Sequence, residues 1–94
     1  MSDGDRPLAA YQLAAGYPTL MPQELKLPVF TLVMLPKSNR LLGSYANRLW
    51  FVPLTEEGWY SDQVTMLELP NFNGRAVCYS EKFDRLYLVV EHLP

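Results

Sequence analysis

The apolar positions change period along the chain. Near the start, Leu8, Tyr11 and Ala15 recur at helical spacing, with Leu13 and further alanines between them. Asp5 suits the N-cap of such a helix, Pro7 its first turn, and Gly16 the position just past its end. This predicts one short helix over residues 6–15, too short to stand alone in water and therefore obliged to pack on the rest. Residues 1–5 are small and polar and read as a flexible tail. Pro18, Pro22 and Pro28 then fix φ and remove backbone donors, which argues against a regular element over 17–27 beyond a turn at 22–25.

From Val29 onward the pattern is that of strands. Residues 29–35 are apolar on both faces and partly β-branched, as a central strand requires. Residues 37–40 form a turn. Strands at 41–45 and 48–54 flank Ala46-Asn47, where asparagine tolerates a left-handed backbone, and Pro53 places the end of the second strand at an edge. Residues 55–58 turn the chain, 63–69 form the next strand, and Pro70-Asn71-Phe72-Asn73-Gly74 reads as a five-residue loop. Val77 and Tyr79 share one face of a short strand. After a turn at 81–84, Leu86, Leu88 and Val90 alternate with Arg85, Tyr87, Val89 and Glu91.

These elements predict a mainly β (α+β) domain: a small antiparallel β-meander or partly open barrel of five or six short strands with one N-terminal helix. The competing reading makes 38–49 a helix, since Leu41, Leu42, Tyr45 and Leu49 also repeat at helical spacing. Gly43 and two asparagines weigh against it.

Length and composition narrow the class. Ninety-four residues make a single domain, 1–94, and 49% apolar content with a net charge of −2 excludes wholesale disorder. The longest apolar stretch, residues 27–35, contains Pro28 and Thr31 and is too short for a spanning helix, so no membrane partner is expected. The acidic N-terminus lacks the features of a signal peptide, and one cysteine allows no internal disulfide. Both fit a cytoplasmic location.

Catalytic chemistry finds little to work with. His92 is the sole histidine and sits three residues from the chain end without a partner to orient it. Cys78 reads as a small buried hydrophobe. The carboxylates are scattered and no phosphate-, metal- or nucleophile-binding motif is present. The expectation is a non-enzyme with no cofactor and no metal.

The aromatic supply, 13% of the chain, points elsewhere. Trp50, Trp59, Tyr60 and Phe72 stand in or beside loops and strand ends, and Glu56-Glu57 adds acid next to Gly58-Trp59-Tyr60. Tyrosine and tryptophan offer large, rigid contact area with a polar tip. The expected function is a small protein-binding module (adaptor, assembly factor or inhibitor) using Trp50, Glu56, Glu57, Trp59, Tyr60 and Phe72. Its partner is another protein, within a larger complex in one version, and a basic or proline-containing peptide fits the patch. For Trp59 the competing role is structural, closing the end of a barrel. Tyr87 and Val89 make the last strand apolar on its outer side as well, which calls for cover by the helix, a partner or a second copy in a homodimer. The alternative function is nucleic-acid binding through exposed aromatics and Lys37, Arg40 and Arg48. Eight basic against ten acidic residues disfavour it.

Overall fold

The computed structural model describes residues 7–19, 22–27 and 29–90. The tail expected at 1–5 and His92 lie outside the described residues. Within them the chain is mainly β, built as several small antiparallel sheets, none of which closes into a barrel. No helix occurs among the described residues, so none is long and apolar enough to cross a membrane.

The body is a four-stranded meander: β5 (Thr31–Leu35), β6 (Arg40–Tyr45), β7 (Arg48–Pro53) and β8 (Thr65–Glu68), in that spatial order. The 38–49 helix does not form. The segment is instead the β6–β7 hairpin, with Leu42 opposite Phe51 and Tyr45 opposite Arg48 across a two-residue turn. The left-handed residue of that turn is Ala46, at φ 53°, rather than the expected Asn47. β5 is an edge strand of this sheet, not the central strand its double apolarity suggested, because β9 crosses beside it.

Antiparallel pairs put directly opposed side chains on one face. Val33, Leu42 and Phe51 form one such row, and Leu35 and Leu49 share its face. A second sheet, the hairpin of β9 (Phe72–Ser80) and β10 (Arg85–Val90), lies against it. β9 runs over β5, β6 and β7. The core is Leu35, Leu42, Leu49 and Phe72, with Val77, Tyr79, Leu86, Leu88 and Val90 of the hairpin packed around it. The predicted alternation of the last strand holds: Leu86, Leu88 and Val90 point inward, Arg85, Tyr87 and Val89 outward. Cys78 lies on the outward side and is exposed, not a buried hydrophobe, because it pairs with Tyr87 across the ladder.

Asn73-Gly74 is not the expected turn. Pro70 supplies a fixed φ three residues earlier, and the Phe72 N–H donates to the Leu69 carbonyl at 3.1 Å, which closes a β-turn there. The Asn-Gly pair falls inside β9 and is absorbed as an irregularity. Between the Leu88–Val77 and Val90–Phe72 pairs, β10 advances two residues and β9 five.

Residues 7–19 and 22–26 form a separate arm. β1 (Pro7–Ala10) pairs with β4 (Gln23–Lys26), and between them a small hairpin joins β2 (Leu13–Ala14) to β3 (Tyr17–Pro18). The predicted helix over 6–15 is therefore wrong, and so is the exclusion of regular structure from 17–27. The same residues serve both readings. Ala15 and Gly16 stand at φ 52° and 86°, values of a type I′ hairpin turn, so the glycine read as a helix end is a turn glycine. Pro7 opens a strand as easily as a helix. A ten-residue helix bears the full nucleation cost for few hydrogen bonds, whereas β4 offers β1 a ladder with Leu8 opposite Leu25.

Two predictions follow from this packing. A Cβ at Gly43 would stand 2.7 Å from Val29 Cγ2, inside van der Waals contact. Gly43→Ala should cost about 1–3 kcal/mol in urea unfolding, and the cost should shrink in a Val29→Ala background. In the β9–β10 turn, the Tyr79 hydroxyl donates to the Asp84 carboxylate. That hydrogen bond, then burial and the Asp84 and Glu81 charges, push the Tyr79 hydroxyl up to about 12. Its neutral form is the favoured one, so its contribution is complete below the unfolded value near 10 and is lost as pH rises toward 12. The stability difference between wild type and Tyr79→Phe should therefore be constant from pH 7 to 9 and diminish between pH 10 and 12.

Candidate functional site

The candidate residues fall in three places. Glu56, Glu57, Trp59 and Tyr60 share the connection between β7 and β8. Trp50 lies mid-strand in β7. Phe72 opens β9 and is only 3% exposed, packed in the core, so its ring presents almost no surface to a partner. The sequence signal for Phe72, an aromatic in a loop, failed because the loop ends one residue earlier.

The β7–β8 connection is a tight and ordered loop. Leu54 bridges Tyr60, the Thr55 N–H donates to the Trp59 carbonyl at 2.9 Å, and the Ser61 N–H donates to the Pro53 carbonyl at 2.9 Å. At the tip the Gly58 N–H returns to the Thr55 carbonyl at 2.9 Å, and the Trp59 N–H donates to Thr55 Oγ1 at 3.1 Å. Gly58 takes φ 88°, open to glycine and strained for other residues. The result holds Glu56 and Glu57 exposed at the tip beside a half-buried Trp59. Tyr60 is buried beneath them, and that burial raises its hydroxyl above the ordinary tyrosine value.

Two side-chain amides clamp this loop, and the sequence reading singled out neither. Asn39, at φ 52° in the β5–β6 turn, donates from Nδ2 to the carbonyls of Leu54 and Thr55 at 3.2 and 3.3 Å, while its own carbonyl accepts from the Leu54 N–H at 2.9 Å. Gln23 of β4 donates from Nε2 to the Tyr60 carbonyl at 3.0 Å and accepts from the Tyr60 N–H through Oε1. One side chain thus mimics a strand neighbour and ties the arm to the loop. Long-range polar pairs of this kind leave no periodic trace, so only Asn39 offered any signal, as a turn former.

Trp50 belongs to the outer face of the sheet, turned away from β9–β10. Its row runs Leu32, Gly43, Trp50, Met66 across all four strands. Its ring is half-buried, and the indole N–H is buried without a hydrogen-bond partner among the described residues. An unpaired buried donor costs about 1–3 kcal/mol.

The basic residues of the alternative reading do not converge. Lys37 and Arg40 lie at one end of the β6–β7 hairpin and Arg48 at the other. The Arg40 guanidinium sits 4.8 Å from the Phe51 ring centre and its Nε donates to Ser38 Oγ at 3.1 Å, while Arg48 pairs with Glu68 at 3.6 Å. The described surface includes two shallow clefts. One of about 300 Å³ is lined by Thr31, Cys78, Tyr87 and Val89 among others, and one of about 280 Å³ by Phe30, Tyr45, Ala46 and Asn73. Among the described residues no three His, Cys, Asp or Glu side chains gather as a metal site would need. Compared with protein-family models, with curated proteins and with solved structures, the chain matches none.

Asn39→Gly keeps a residue at ease with positive φ and removes both amide donations. It should speed hydrogen exchange at the amides of Thr55, Gly58 and Trp59 by about tenfold or more while those of Leu42 and Leu49 stay protected.

Proposed function

We propose that the chain is a non-catalytic protein-binding module that receives its partner on the Glu56–Tyr60 loop. The observation that carries this reading is the order of that loop. Backbone hydrogen bonds close it, Asn39 and Gln23 brace it, and it presents an aromatic ring beside two free carboxylates. A braced loop loses little conformational entropy on binding, and the half-exposed indole of Trp59 supplies contact area. The carboxylates suit a basic segment, with proline or another flat apolar group against the indole. Tyr60 supports the loop from below, Trp50 lies apart from it in the middle of β7, and Phe72 packs in the core. The module would work by occlusion or bridging, as an adaptor, an assembly factor or an inhibitor.

The test is retrieval of a partner from nuclease-treated lysate. Wild type should hold a stoichiometric protein, Trp59→Ala should lose it by about thirtyfold or more in affinity, and Glu56→Gln with Glu57→Gln should chiefly slow association and flatten its salt dependence. Circular dichroism and urea midpoints near wild type establish that these variants still fold. Wild type that holds only nucleic acid, in a strongly salt-dependent way, would reverse the conclusion.

A further inference from the structure

We infer that β8 takes up an extended basic segment of the partner as an added antiparallel strand, with the basic end of that segment beside the Glu56–Tyr60 loop. This rests on the loop reading and deepens it, by naming the conformation of the partner and the direction in which it lies.

The two edges of the four-stranded sheet differ. β5 has β9 against it, whereas β8 touches β7 and no other strand among the described residues. All of β8, Thr65 to Glu68, is exposed. The aim of its backbone groups follows from the ladder. The Leu69 N–H donates to the Asn47 carbonyl at 2.7 Å, and the register that sets Arg48 opposite Glu68 sets Asn47 opposite Leu69. Hydrogen-bonded and non-hydrogen-bonded pairs alternate along an antiparallel ladder. Leu49–Leu67 and Phe51–Thr65 are therefore bonded pairs, and the N–H and C=O groups of Met66 and Glu68 point away from β7 into the open edge. An antiparallel strand laid there exchanges a pair of hydrogen bonds with Met66 and another with Glu68. Edges are commonly blunted by lysine, proline or a bulge. β8 has none of these, and its register with β7 is unbroken. Its single charge, on Glu68, is engaged across the ladder with Arg48 at 3.6 Å.

Charge selects the occupant. Residues 49–74 hold Glu56, Glu57, Asp62 and Glu68 and no basic side chain. Glu56, Glu57 and Asp62 are exposed in the connection that leads into β8 at its Thr65 end, and among the described residues none of the three forms an ion pair. Arg48 stands at the opposite, Glu68 end. The edge is thus acidic at one end and carries a cation at the other, which orients what binds. An antiparallel occupant brings its C-terminal side to Thr65, so its lysines and arginines belong there. Its residue facing Met66 extends the row of Leu32, Gly43, Trp50 and Met66 and is apolar. It has no proline at the bonded positions, since each needs its N–H.

The probe is a displayed library of random peptides about twelve residues long, selected on the full chain, with the consensus then synthesised. Lysine and arginine should be enriched toward its C-terminal end. Bound peptide should slow hydrogen exchange at the Met66 and Glu68 amides by about tenfold or more. Met66→Pro removes one outward donor and no bond of the β7 ladder. Compared with Met66→Ala, it should weaken binding by about tenfold. N-methylation of the peptide residue facing Met66 should do the same from the other side, a readout that stands if Met66→Pro fails to fold. Trp59→Ala separates the two readings. A peptide that needs Trp59 but tolerates both Met66→Pro and N-methylation overturns the added strand and leaves the loop reading standing. A peptide that needs the Met66 amide and not Trp59 supports the added strand and overturns the loop. A selection that yields no peptide, or only peptides without basic residues, overturns the proposal, while partner retrieval from lysate tests the loop independently.

Discussion

A sheet that is apolar on both faces must be covered twice, and this chain has material for little more than one cover. β7 states the problem in four residues: Leu49 and Phe51 face one way, Trp50 and Val52 the other. The β9–β10 hairpin closes the first face with Phe72, Val77, Leu86 and Leu88. On the second, Val29 lies over Gly43, and Val52 and Tyr60 are buried, but Leu32, Met34 and Met66 stay open. The flanking features answer to that shortage. Gly43 is side-chain-free because Val29 must come close, and the Trp50 indole, unpaired among the described residues, marks a face where packing takes precedence over polar satisfaction.

The body was legible in the sequence where local signals and tertiary packing agree. The β6–β7 and β9–β10 hairpins have short turns, alternating partners and a buried face, so residue pattern and register point the same way. The arm was not legible, because Leu8, Tyr11 and Ala15 keep helical spacing over a stretch too short for the period to decide, and a turn glycine resembles a helix-ending one. Asn73-Gly74 misled for a related reason: a strong turn dipeptide lost to a proline that turned the chain first. Of the candidate site, the acidic tip and Trp59 could be found from composition and position. Phe72 could not be told from a surface aromatic, and Gln23 and Asn39 could not be found as braces, because their partners lie far along the chain.

Loop and arm are mechanically joined. Gln23 holds both polar groups of the Tyr60 backbone, so the residue that buries its ring beneath the loop also moors the arm. A force applied to the arm reaches Glu56 and Trp59 through one amide and one peptide unit. Displacing the arm would therefore pull first on the Tyr60 peptide unit.

The order of the elements along the chain sets the order in which they can be made. The meander pairs neighbours in sequence, whereas β1 and β4 of the arm close over the β2–β3 hairpin, and the hairpin that closes the first face of the sheet, residues 72–90, follows both. The pairings of the meander are local, so β5 to β8 can zip together while Leu42 and Leu49 still lack their lid. A chain that folds in this order passes through a stage with both sheet faces bare and a β-edge open to pairing. Folding at high protein concentration is therefore the setting that most exposes these surfaces to wrong pairing.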